Sequence, residues 1–260
     1  MEAGICLQNY IPMRAEPSER SEMVSQVLFG EHFELLEKNK KTRFTRIKLH
    51  FDGYEGWIDH KTINFLDDNN LKDVKELEET VVRSLYIHLH MADGSRKMIG
   101  GGSNLWLRSG KIIIPENITG FDDDILQKQE DQGKELIERS MLWLGIPYIW
   151  GGRSVFGADC SGFVQNLFKQ SGIRLPRDAR DQALRGTTIS FHTETRAGDL
   201  AFFENDEGMI THTGIITGDG RIIHSSGKVR IDHFDQQGIY SPGLGTYSHK
   251  LRLIKRVIQY

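Results

Sequence analysis

The chain has 260 residues, enough for two or three domains of ordinary size. Its composition is that of a globular protein, 38% hydrophobic, 27% charged and 9% aromatic, and a formal charge of −3 leaves no basic footprint for nucleic acid. No apolar run reaches the roughly 18 residues that a membrane-spanning helix requires.

Met1-Glu2-Ala3-Gly4-Ile5-Cys6 lacks the cationic region and apolar core of a signal peptide. The two cysteines, Cys6 and Cys160, fit free thiols in a reducing compartment better than a disulfide, so a cytoplasmic location is expected. Residues 1–66 read as short strands. Val24 to Phe29 and Phe33 to Leu36 flank a hairpin-like break at Gly30-Glu31, and Phe44 to Leu49 alternates apolar with cationic residues. A turn at Asp52-Gly53 precedes Tyr54 to Ile58, and the set suggests a compact barrel. Asp67 to Glu79 reads as a polar linker. Val81 to His90 alternates again, Lys97 to Gly102 breaks it, and Leu105 to Leu107 with Lys111 to Ile114 adds strands of a second small barrel, giving units over 67–120 and 121–260.

From about 121 the period changes. Ile125 to Leu144 has helical spacing and is stopped by Gly145-Ile146-Pro147. Phe163, Val164, Leu167 and Phe168 mark a helix starting near Cys160, and strands follow at Asp199 to Phe203, Thr211 to Thr217 and Arg221 to Ser225. Helices followed by antiparallel strands indicate an α+β domain.

Cys160 stands in Gly157-Ala158-Asp159-Cys160-Ser161-Gly162, where a loop meets a helix. Helix N-terminal amides and dipole stabilise a thiolate there, although a buried structural cysteine would fit the same position. His212 and His224 flank Gly218-Asp219-Gly220. A three-residue loop pairs Thr217 with Arg221, sets His224 opposite Gly214 and puts both rings on one face, with Cβ atoms roughly 7–8 Å apart. A two-residue loop would put them on opposite faces. One imidazole can take the thiol proton while a polar partner fixes its tautomer, but each histidine could equally be an ordinary strand residue. His88 and His90 share a strand face, yet no cysteine or carboxylate pattern near them completes a metal site.

Tyr148-Ile149-Trp150-Gly151-Gly152, Asp159-Cys160-Ser161-Gly162-Phe163, Leu175-Pro176-Arg177-Asp178, Gly198-Asp199-Leu200, His212-Thr213-Gly214-Ile215 and Ile223-His224-Ser225 together resemble the NlpC family of cell-wall cysteine peptidases, over roughly 125–258. The resemblance implies a papain-like fold with a Cys160-His212-His224 triad. It also implies an oxyanion hole formed by the Cys160 N–H and Tyr148. Core packing is the alternative for Tyr148 and Trp150, and is preferred for Trp150.

Gly53-Tyr54-Glu55-Gly56-Trp57-Ile58 resembles the bacterial SH3-like domains that precede such catalytic domains, and the whole is similar to γ-D-glutamyl-L-diamino acid endopeptidases. In those enzymes the SH3-like domain walls off the cleft and an aspartate grips the substrate's free amine. Asp178 matches that aspartate, with an alternative role as a helix N-cap. Asp159, Ser161, Tyr54 and Glu22 are the further substrate-contact candidates. Such enzymes commonly carry serine where this chain has Ala179.

The implied reaction is cleavage after γ-D-glutamate in murein peptides with a free N-terminal L-alanine, through a thioester. The alternatives are a remodelling hydrolase acting on intact peptidoglycan stems, a wall-binding module, or another acyl transfer on the same scaffold. The expected partners are peptidoglycan-derived peptides. Neither nucleic acid nor membrane, cofactor nor metal is expected, and the chain is expected to be a monomer.

Overall fold

The computed structural model describes residues 2–77, 79–109, 111–115, 117–122, 132–243 and 245–258. The chain divides into two compact units, Met1–Gln127 with Trp150–Val155, and Lys128–Ile149 with Phe156–Tyr260.

The first unit opens with β1 (Ala3–Ile5), β2 (Tyr10–Arg14), β3 (Met23–Leu28), β4 (His32–Lys38), β5 (Phe44–Leu49), β6 (Glu55–Asp59) and β7 (Asn64–Phe65). These form one sheet in the order β3-β2-β6-β5-β4-β1-β7, curled round Cys6, Ile11, Met13, Phe33, Ile47 and Ile58. The β5–β6 hairpin at Asp52-Gly53 forms as expected, with Gly53 at φ 75°. Gly30-Glu31 differs. The chain does turn there, with Gly30 at φ 75°, but β3 and β4 are not neighbours. The Glu31 carboxylate accepts the Leu28 N–H at 2.7 Å and is itself held by Arg153 at 3.0 Å, so side chains rather than a strand ladder fix this corner.

The expected linker contains a helix, α1 (Asp68–Glu76), capped by the Asp67 side chain on Asn70 N–H. Leu71, Val74 and Leu77 recur at helical spacing and pack with Ile5, Trp106 and Ile114; the surrounding charges masked this stripe in the sequence. Next come β8 (Glu79–Val81), β9 (Tyr86–Met91), β10 (Arg96–Gly100), β11 (Asn104–Arg108), β12 (Lys111–Ile114) and β13 (Ile118–Phe121). They make two three-stranded sheets, β10-β9-β13 and β12-β11-β8, over a core containing Val82, Leu89, Ile99 and Leu105.

Two expectations fail in this stretch. The strand expected over 81–90 is interrupted between β8 and β9, and Lys97 to Gly100 is itself strand, paired with β9. The real turn is at Ala92 to Ser95, where Gly94 takes φ 82°. Asp122 brings a carboxylate to His88 and His90, at 3.3 and 3.2 Å, which the sequence reading had not placed there. It is shared with Arg96, and among the described residues no group of three or more His, Cys, Asp and Glu is arranged to hold a metal ion. The unit also contains β14 (Arg153–Ser154).

The second unit carries α2 (Gln132–Met141), β15 (Gly157–Ala158), α3 (Cys160–Gln170), α4 (Ala179–Gln182) and β16 (Thr187–Ile189). Residues 125–131 of the helix expected over 125–144 lie outside the described residues. The helix ends at Met141, and residues 142–145 form turns that bring Trp143 edge-on to Phe163. Six more strands follow: β17 (Leu200–Glu204), β18 (Ile210–Ile216), β19 (Arg221–Ser226), β20 (Lys228–Phe234), β21 (Gly238–Ser241) and β22 (Thr246–Arg256). The order is β16-β22-β17-β18-β19-β20-β21, and β21 pairs back onto β22. The first half of β22 pairs with β21 and its second half with β17, so the sheet closes on itself around Phe203, Ile216, Ile222 and Phe234. Helix α3 is buried along its whole length and packs against β18 and β19. Among the described residues no helix is long and apolar enough to cross a membrane.

Candidate active site

Asp159 caps α3, its carboxylate accepting the Gly162 N–H at 2.7 Å, and this puts Cys160 in the first helical position, 7% exposed. The Sγ lies 4.0 Å from the Thr211 carbonyl oxygen and also meets the Thr213 backbone, so the thiol sits against β18 on both sides of His212.

The β18–β19 hairpin takes the three-residue-loop register. Ile215 faces Ile223, Ile216 faces Ile222, and the Thr217 N–H bonds to the Arg221 carbonyl at 3.0 Å. His212 and His224 therefore share a face with Gly214 between them, and His212 Nε2 is 2.7 Å from His224 Nδ1. A Cβ on Gly214 would stand 2.8 Å from the His224 Cβ, so only glycine leaves the two rings this spacing.

Burial is the main force on the ionisable groups. It pushes the Cys160 thiol up to about 12, helped by the Asp159 carboxylate and opposed by backbone hydrogen bonds from Thr213 and Ser161 and by Arg177. Burial also drives His212 well below its ordinary value, and the neighbouring His224 and His249 add to the effect. Desolvation of the sulfur thus works against the thiolate expected from the helix N-terminus. Burial thereby favours the uncharged form of both groups, a thiol beside a neutral imidazole.

The other sequence candidates are distributed as follows. Tyr148 is half-buried, and burial together with Cys160 and Asp159 raises its phenol, which stays a protonated donor. Asp178 is half-buried and its carboxyl is raised by burial; it makes no side-chain cap bond to α4, so the N-cap role is not realised by its side chain. Asp159 and Ser161 are committed within the fold, since Arg177 reaches Asp159 Oδ2 at 2.6 Å and Ser161 Oγ at 2.9 Å. Glu22 and Tyr54 belong to the first unit. There Glu22 is exposed and accepts the Trp150 indole N–H, and Tyr54 packs on the barrel core. Trp150 itself is 61% exposed rather than core, its polar N–H satisfied by that carboxylate.

Arg177, within the Leu175–Asp178 motif, is the guanidinium that holds Asp159 and Ser161. Two further residues carry no signal in the sequence. Asp232 on β20 lies 2.9 Å from His224 Nε2, and His249 on β22 stacks on His212 with ring centroids 4.2 Å apart. Nothing in spacing or composition joins residues on four strands. Only a full set of strand pairings could have found them.

Comparison with known proteins fits this architecture. Residues 145–246 match the NlpC/P60 family, and residues 13–63 match the bacterial dipeptidyl-peptidase Sh3 domain. The chain therefore carries an NlpC/P60 domain, the domain of a cysteine peptidase family, with a bacterial SH3 domain N-terminal to it. It is similar to a γ-D-glutamyl-L-lysine dipeptidyl-peptidase of Bacillus subtilis, 42% identical over 184 residues, covering 66% of this chain and 60% of that protein. It is also similar to a protein of the same name from Bacillus cereus, 28% identical over 233 residues, covering 79% of this chain and 68% of that one. The chain thus spans about two thirds or less of the length of these relatives. A crystal structure of an NlpC/P60 family protein from Bacillus cereus superposes with a TM-score of 0.83 at 20% identity, over 99% of this chain and 100% of the other, and establishes the shared fold.

Proposed function

We propose that this protein is a cysteine endopeptidase that cleaves the bond between γ-D-glutamate and an L-diamino acid in murein peptides bearing a free N-terminal L-alanine. The observation that carries the reading is the thiol of Cys160 set against β18 at His212, whose ring is hydrogen-bonded to His224. The names of the two Bacillus relatives favour L-lysine as the diamino acid.

With Nε2 committed to His224, His212 uses Nδ1 to take the Cys160 proton as sulfur attacks the γ-carbonyl carbon. The Cys160 N–H and the Tyr148 hydroxyl receive the developing oxyanion. His212 then passes the proton to the departing α-amine of the diamino acid, leaving a thioester. Water, deprotonated by the same imidazole, hydrolyses that thioester and restores the thiol. His224 orients the base.

Asp178 supplies the amine grip. Its half-buried carboxylate is disfavoured by desolvation, and a substrate ammonium would offset that cost with a charge-assisted bond worth roughly 1.5–3 kcal/mol, about one to two decades in kcat/KM. Such selectivity suits short peptides already released from glycan. Both cysteines are free and buried, which fits a reducing cytoplasm; the protein would act there as a monomer without cofactor.

The test is to incubate the protein with L-alanyl-γ-D-glutamyl-L-lysine and its meso-diaminopimelate counterpart, each free and N-acetylated, and identify products by mass. Free peptides should be cut 10- to 100-fold faster than acetylated ones, and Asp178→Ala should narrow that gap by slowing the free peptide. Equal rates on glycan-linked stems would overturn the preference for released peptides and favour a remodelling hydrolase.

A further inference from the structure

Beyond the Cys-His-His trio, we infer that Asp232 is a positioning residue: through His224 it fixes the tautomer of His212 and so presents the Nδ1 lone pair to Cys160. This rests on the proposed roles of Cys160 and His212, but its geometry stands apart from the substrate.

The inference follows from counting protons along one chain of contacts. Asp232 Oδ2 is 2.9 Å from His224 Nε2 and 2.8 Å from Arg230 Nε. The His224 hydrogen bond, chiefly, holds the Asp232 carboxyl below its ordinary range despite some burial, so at neutral pH it is ionised and can only accept. His224 Nε2 must then carry the hydrogen. His224 is fully buried and is kept neutral by burial, although Asp232 pulls the other way, so its Nδ1 is a lone pair. That lone pair lies 2.7 Å from His212 Nε2, which must therefore be the donor. His212 is neutral as well, and its only remaining lone pair is on Nδ1.

The carboxylate thus sets the protonation pattern of two rings in series. If Nε2 of His224 lost its acceptor, either ring could flip to the other tautomer. A His212 carrying its hydrogen on Nδ1 cannot accept a proton from sulfur. Among the described residues, the charged and titratable groups around this chain of contacts are Asp232 and Arg230 on β20, His249 on β22 and the Cys160 thiol against β18. Arg230 pairs with the ionised Asp232 and, like burial, disfavours a charge on either ring, and His249 meets His212 by stacking.

The test uses the full chain labelled with 15N at histidine, at pH 7.5, where ring-nitrogen shifts report the tautomer without substrate. The wild type should show His212 and His224 as Nε2–H forms. Asp232→Ala should convert a substantial fraction to Nδ1–H and lower kcat by about 10- to 100-fold, with KM changed less than about twofold. Asp232→Asn retains an acceptor oxygen and should recover at least part of both readouts. A wild-type tautomer in Asp232→Ala overturns the inference even if kcat falls, because the residue would then act through packing alone. An altered tautomer with undiminished kcat overturns it too. Failure of the proposed function would look different, as peptidase activity that survives Cys160→Ala.

Discussion

Gly214→Ala tests the spacing on which the candidate site depends. The added methyl would lie 2.8 Å from the His224 Cβ and 2.8 Å from Ile222 Cδ1, whereas ordinary contact begins at 3.4 Å. A retreat of about 0.6 Å is therefore required, and the two clashing groups come from one strand, β19, so they retreat together. Applied to His224, that shift lengthens its 2.7 Å bond to His212 toward the edge of hydrogen-bonding range. Overpacking of this kind costs roughly 1–3 kcal/mol of stability. A misplacement of about 1 Å costs on the order of 100-fold in rate, so a loss of about 10- to 100-fold in kcat is expected here. The assay is steady-state cleavage of the free tripeptide beside a urea melt, with Gly120→Ala as the control, since its nearest neighbour is an ordinary 3.6 Å away. Unchanged kcat in Gly214→Ala, with stability lowered or not, would refute the claim that this glycine sets the working distance between the rings.

Cys160→Ala should abolish hydrolysis with the fold retained, and Cys6→Ala should leave kcat within about twofold; product analysis by mass checks both. His212→Ala should be nearly as damaging as Cys160→Ala, while His224→Asn keeps a polar partner and should retain more activity; equal, complete losses in kcat would merge the two roles. The resting thiol pushed up to about 12 predicts that iodoacetamide alkylation of Cys160 rises about tenfold per pH unit from 7 to 9, and a flat profile would signal a preformed thiolate. His212, His224 and His249 are all depressed in the fold, His249 to about 4, so the unfolded chain binds more protons as acid is added. The stability they contribute is complete above about pH 6.5. It falls as pH drops through the folded values, and urea melts at pH 7.5 and 5.0 should show the loss.

The sequence by itself determined the local parts of this protein. Asp159 before Cys160 is a capping signal, and it makes α3 begin at the thiol. Gly218-Asp219-Gly220 between two alternating runs makes the β18–β19 hairpin, but a two- or a three-residue loop fits that sequence, and the folded register alone sets Gly214 opposite His224. Such features act over a few residues, through backbone conformation and side-chain period, so they can be read along the chain. Where charges crowded an apolar stripe, as at Leu71, Val74 and Leu77, even a local helix was lost to the reading. The tertiary structure decided what depends on distant strands. Closure of the second sheet through β22 stacks His249 on His212, and the β19–β20 pairing delivers Asp232 to His224. It also set the desolvation that acts on the thiol. A helix N-terminus in the sequence argues for a thiolate, but the cost of desolvating sulfur depends on how completely α3 is buried, and burial is a property of the folded core alone.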